Sequence, residues 1–203
     1  NLSQARQGLA AVSSSSYGYF GGGQKPSGSA DRVDRLDFSN ETTSAPGNNL
    51  PQDRFGLAAV SNSSYGYFGG GRRISPTFNS DKVDRIDFSN ETTSAPGNDL
   101  SQARYSLAAL SGGASYRISG SRTYGYFGGG SSPSYVATVD RIDFSSETTS
   151  APGNNLSQAR YGLAAVSSSS YGYFGGGFAP PEASTVDRID FSNETTSAPG
   201  NNL

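Results

Sequence analysis

The chain has 203 residues, 27 of them Gly, and lacks Cys, His, Met and Trp altogether. Without Cys there is no disulfide framework, and without Cys or His the ordinary zinc, haem and copper sites and the His-dependent catalytic triad are excluded. Fifteen basic residues against 17 acidic ones give a net charge of −2; the basic residues are spread evenly, which argues against nucleic acid as a partner, and no apolar run reaches the length of a membrane span.

In chain order the first feature is a repeat. NLSQAR at Asn1–Arg6 returns as NLPQDR at Asn49–Arg54, DLSQAR at Asp99–Arg104 and NLSQAR at Asn155–Arg160, and begins again at Asn202–Leu203. The spacing predicts one repeat domain of four units, at 1–48, 49–98, 99–154 and 155–201. The chain begins and ends at one phase of the repeat without an initiator Met, so it is expected to be processed or part of a longer polypeptide.

Within the second unit, Arg54–Val60 is a short apolar run rich in small residues, followed by the turn-forming Ser61–Ser64. Tyr65–Phe68 favours a strand, and Gly69–Gly71 ends it with residues that tolerate positive φ. A polar loop with Pro76 leads to a third strand at Val83–Phe88. Ser89–Glu91 reads as a turn and Thr92–Pro96 as a short closing strand. Short strands at this spacing predict an all-β meander of four antiparallel strands per unit. One unit offers too few large apolar side chains to offset the entropy of ordering it alone, so neighbouring units must stack.

This order of features resembles the kelch repeat. The matching stretches are Ala159–Val166 (ARYGLAAV), Tyr171–Gly177 (YGYFGGG), Val186–Phe191 (VDRIDF) and Thr195–Pro199 (TTSAP), and the resemblance covers essentially the whole chain. It departs from the usual kelch unit in lacking Trp on the outer strand. The wording YGYFGGG…VDRIDFSNETT is also similar to kelch-like repeat proteins of marine bacteriophages, of the tail-fibre or virion-appendage type. The resemblance implies a β-propeller of four-stranded blades, four in this chain. A partial propeller closed by oligomerisation and an open β-solenoid remain alternatives.

The charged residues admit two readings. Arg85 and Asp87 share a face of their strand, as do Arg35/Asp37, Arg141/Asp143 and Arg188/Asp190. They form either a ring of carboxylates for a cation or, as preferred here, structural ion pairs. Arg6, Arg54, Arg104 and Arg160 are expected to bridge neighbouring units or cap loop carbonyls. The Tyr pairs, such as Tyr65/Tyr67, read as packing residues with a polar tip. The Asn-x-Thr triplets at Asn40, Asn90 and Asn193 read as turns.

Function is sought where the copies differ. The varied connections are Gln24–Arg32, Arg72–Lys82, Ser131–Thr138 and Phe178–Thr185, all between second and third strands and hence at one end of the units. Arg72, Arg73, Phe78, Tyr135 and Phe178 stand out there as candidate binding residues. A further insertion, Ser111–Thr123, is expected to project peripherally from the opposite end. No catalytic residue, cofactor or metal is expected. The expectation is a non-enzymatic structural or binding protein at an extracellular or virion surface, meeting a protein or cell-surface glycan through its variable loops. Homo-oligomers or a longer repeat array are possible assemblies, and a kelch-type protein-interaction adaptor or a glycan-binding propeller lectin are the alternative functions.

Overall fold

The computed structural model describes residues 1–114, 122–200 and 203. Each repeat forms one four-stranded antiparallel sheet whose strands pair in chain order. The first sheet comprises Ala10–Ser13, Tyr17–Gly21, Val33–Asp37 and Thr43–Ser44, and the second Ala58–Ser61, Tyr65–Gly69, Val83–Asp87 and Thr93–Ser94. The third comprises Ala108–Ala114, Arg122–Gly128, Val139–Asp143 and Thr149–Ser150, and the fourth Ala164–Ser167, Tyr171–Gly175, Val186–Asp190 and Thr196–Ser197. Register is the same in every copy: Tyr67 lies opposite Val60 on one side and Arg85 on the other, as Tyr19 lies opposite Val12 and Arg35.

The apolar side chains are buried between sheets. One cluster joins Val12, Tyr19, Val33 and Leu50 to Leu57, Phe68 and Ile86; a second joins Val60, Tyr67 and Val83 to Leu107, Phe127 and Ile142; a third joins Leu110, Tyr126 and Val139 to Leu163, Phe174 and Ile189. Glycines make the close approach possible. A β-carbon on Gly66 would lie 2.5 Å from Val12 Cγ2, one on Gly125 2.6 Å from Val60 Cγ2, and one on Gly172 2.6 Å from Leu110 Cδ1. The second strand of the second, third and fourth units therefore receives a branched side chain from the first strand of the unit before it. In the opposite direction, Phe68, Phe127 and Phe174 seat their rings over Gly21, Gly69 and Gly128.

The NLxQxR segment ties each unit to its predecessor. Leu50, Leu100 and Leu156 donate backbone N–H groups to Asp31, Asp81 and Ala137 carbonyls at 2.8–2.9 Å. The Arg that closes the segment turns its side chain into its own sheet. Arg54, Arg104 and Arg160 are fully buried and pair with Asp84, Asp140 (2.8 Å) and Asp187 (2.7 Å), and Arg6 pairs with Asp34 at 3.0 Å. They also cap carbonyls: Arg54 donates to Lys82 O at 2.8 Å, Arg104 to Phe127 O at 2.9 Å and Arg160 to Phe174 O at 3.0 Å. Burial pushes the Asp84 carboxyl above the usual carboxylate range, with the Arg54 charge opposing it.

The expected Arg85–Asp87 pairing is not the one formed. Asp87 accepts the Ser89 N–H at 2.8 Å and its hydroxyl at 2.6 Å, closing its own turn. Arg85 reaches the next unit instead, where Glu147 accepts from its Nη1 at 2.8 Å and from Tyr67 Oη at 2.9 Å. Arg35 and Tyr19 meet Glu91 in the same way, and Arg141 and Tyr126 meet Glu194. The Asn triplets do form turns: Asn90 Oδ1 accepts the Thr92 N–H at 2.9 Å.

The insertion of the third unit lengthens the first two strands of its sheet. Its flanking strands extend to Ala114 and from Arg122, Ser111 is buried, and the Thr123 carbonyl accepts the Phe144 N–H at 3.0 Å. Residues 115–121, the rest of the expected projection, lie outside the described residues.

Successive units thus share one recurring interface, formed three times. Among the described residues none of its contacts recurs between the fourth unit and the first. Val166 is 67 % exposed, whereas its counterparts Val12, Val60 and Leu110 are buried. The observed architecture is an all-β array of stacked four-stranded sheets.

Candidate binding face

The variable connections are built on small hairpins that the loop sequences do not advertise. Gln24–Lys25 pairs with Gly28–Ser29, Arg72–Arg73 with Phe78–Asn79, and Ser131–Ser132 with Ser134–Tyr135. Each is anchored to the residue that follows the buried Arg of its own unit or, in the fourth unit, the connection is anchored there directly. Phe55 and Arg72 exchange N–H···O bonds of 3.0 and 2.8 Å, Tyr105 and Ser131 of 3.2 and 2.9 Å, and Tyr161 and Phe178 of 3.2 and 2.8 Å. Gln7 and Gln24 do the same in the first unit.

These bridges set a row of side chains across the units. Arg72 lies over the Tyr105 ring of the next unit, 5.2 Å from its centroid, and Phe55 packs against the same ring at 6.3 Å. Tyr135, Tyr161 and Phe178 form a mutual aromatic cluster, with centroids 5.1, 5.6 and 5.9 Å apart. Arg73 is held by Asp53, 2.8 Å from its Nε, and Phe78 is exposed at its hairpin. Ser29 Oγ of the first unit donates to Asp53 of the second and accepts the Ile74 N–H at 3.4 Å, so adjacent hairpins touch.

Of the five residues singled out in the sequence, the structure brings Tyr135 and Phe178 together, and places Arg72, Arg73 and Phe78 on one hairpin. Sequence reasoning missed Phe55, Tyr105, Tyr161 and Asp53. A signal was available: the position after the buried Arg reads Gln7, Phe55, Tyr105 and Tyr161, a variable site inside an otherwise constant segment. Along this face the cations Lys25, Arg72 and Arg73 lie on the first two units, and the aromatic rings run from Phe55 and Phe78 of the second unit to Phe178 of the fourth.

The opposite end of the sheets, where the turns of the first and second units meet, carries an open groove. Ser14, Ser16, Tyr17, Ser64, Tyr65 and Phe88 line it. It offers hydroxyls and ring edges. Its one carboxylate, Asp87, is held below the usual range by its bonds to Ser89 and is committed to the turn.

Compared with family models and with curated proteins, the sequence matches none.

Proposed function

We propose that this chain is a non-catalytic recognition scaffold that binds a protein surface through its variable hairpin face. The observation that carries this reading is the row Phe55, Arg72, Tyr105, Tyr135, Tyr161 and Phe178, built across three units on an otherwise constant framework. Tyr, Phe and Arg are the residues enriched where proteins bind one another, because each combines large contact area with a directed polar or charged edge. The row spans three units, an extent suited to a protein surface. On the resemblance to kelch repeats, the scaffold is kelch-like in its use of loops on stacked sheets, and the likeness to bacteriophage repeats favours an extracellular or virion setting.

A second reading, glycan binding, is favoured by the partly buried Tyr135–Tyr161–Phe178 cluster, since aromatic rings are the side chains on which sugars stack. The two separate in one experiment. The chain and a Tyr161→Ala/Phe178→Ala variant are used in parallel to select from a displayed peptide library and to probe a glycan array. The reading expects peptides that bind the native chain and lose about tenfold or more affinity for the variant. Glycan binding without peptide binding overturns the partner class, and peptides that bind both chains equally overturn the site.

A further inference from the structure

The recurring interface has two halves, and the array leaves one half open at each end. On the leading face of the fourth unit are Val166, 67 % exposed, together with Tyr173 and Arg188, the counterparts of Tyr19/Arg35, Tyr67/Arg85 and Tyr126/Arg141. On the trailing face of the first unit are Gly18, Phe38 and Glu41. Phe38 is 48 % exposed, while its counterparts Phe88, Phe144 and Phe191 stack on Tyr19, Tyr67 and Tyr126 of the preceding units, centroids 5.3–5.6 Å apart. Glu41 has no ion-pair partner among the described residues, yet Glu91, Glu147 and Glu194 each hold an Arg of the preceding unit.

The backbone is unmatched in the same way. Gly56 donates to Gly8 O at 2.7 Å, Ser106 to Gly56 O at 2.6 Å and Gly162 to Ser106 O at 2.8 Å, which leaves the Gly162 carbonyl at the growing end of this ladder. A β-carbon on Gly162 would meet nothing within 4 Å, whereas those on Gly8 and Gly56 would touch the next unit. Of the four exposed large apolar residues among those described, Phe38 lies on one end face and Val166 and Leu203 on the other, and Phe78 belongs to the hairpin face.

We propose that the leading face of the fourth unit binds the trailing face of a second copy of this chain, head to tail, and so forms the interface a fourth time. The proposal is independent of what the hairpin face recognises. It assigns Val166 to the incoming Gly18, the incoming Phe38 to Tyr173, and the incoming Glu41 to Tyr173 and Arg188. Charge is complementary, cation on one face and carboxylate on the other, and the seat is the one already filled three times within the chain. Leu203, whose N–H bonds Ser184 O at 2.8 Å as Leu50 bonds Asp31, holds the place that the incoming Leu2 would take. Being 81 % exposed, it has little packing to lose on leaving. The contact is heterologous, so it propagates until the rotation closes a ring.

The test is the mass of the 203-residue chain in solution as concentration is raised, for the native sequence and for Glu41→Arg and Arg188→Glu. Native chain is expected to form dimers and longer species. Each single variant is expected to associate about tenfold or more weakly, because like charges then face each other. An equimolar mixture of the two variants is expected to recover association, since each supplies the charge the other needs. A native chain that remains monomeric at its highest soluble concentration overturns the proposal. So does association that neither single variant weakens, or that mixing fails to restore.

Discussion

Four glutamates carry the clearest residue-level signature of the interface. Glu41, Glu91, Glu147 and Glu194 all sit at φ of 56–59°, a left-handed conformation that costs a side-chain-bearing residue roughly 1–2 kcal/mol and that Gly would adopt freely. Three of them offset that cost by accepting from a Tyr hydroxyl and an Arg of the neighbouring unit. The same contacts act on the tyrosines. Burial first, and the bond to Glu second or third, raise the Tyr19, Tyr67 and Tyr126 phenols well above their ordinary value. A phenol raised in the folded state contributes stability that is complete below its unfolded value of about 10 and is lost as pH rises beyond it. Alkaline titration followed by phenolate absorbance and circular dichroism should therefore show three phenols ionising together with loss of the fold. Reversible ionisation of all 12 tyrosines with the sheets intact would contradict this.

At the scale of the strand, what matters is which residue the neighbouring sheet inserts into. Gly66 has no space for a side chain, because Val12 Cγ2 and Ile86 Cγ2 would lie 2.5 and 3.0 Å from its β-carbon. At the equivalent Gly18 the nearest atoms to such a β-carbon lie within its own unit, in the Phe38 ring at 3.3 Å and at Leu36 Cβ at 3.9 Å. Gly66→Ala should lower stability by about 1–3 kcal/mol, the usual cost of overpacking, while Gly18→Ala changes it little. Denaturant unfolding of both variants checks the pair; equal effects would mean that the glycines serve their own strands and not the contact with the preceding unit.

The strands themselves were legible in the sequence, since Tyr-Gly-Tyr-Phe and Val-Asp-Arg-Ile-Asp carry strong β preference and the repeat confirms each reading four times. The partner of Arg85 was not, because alternation along one strand says which residues share a face but not what the adjacent sheet presents to it. Asp87 was the nearest carboxylate in sequence; Glu147 lies 62 residues away. The two-residue hairpins were also hidden, as pairs such as Arg72–Arg73 and Phe78–Asn79 are too short to show a period. On the candidate face, composition exposed Arg72 and Tyr135, whereas Tyr161 was obscured by its place inside the repeated ARYGLAAV segment.

At the scale of the whole molecule, the sheets are expected to differ in stability although their sequences hardly differ. Each unit supplies half of two interfaces, so the second and third units are packed on both faces and the first and fourth on one. This is the nearest-neighbour behaviour of repeat proteins. Amide hydrogen exchange, followed strand by strand by mass spectrometry in dilute solution, tests it most directly. Ala58–Ser61 and Ala164–Ser167 have the same register within their own sheets. Slow exchange is expected in Ala58–Ser61 and markedly faster exchange in Ala164–Ser167, whose leading face is uncovered. Equal protection of the two strands would show that each sheet is stable by itself, and would contradict a fold held together by the interfaces between units.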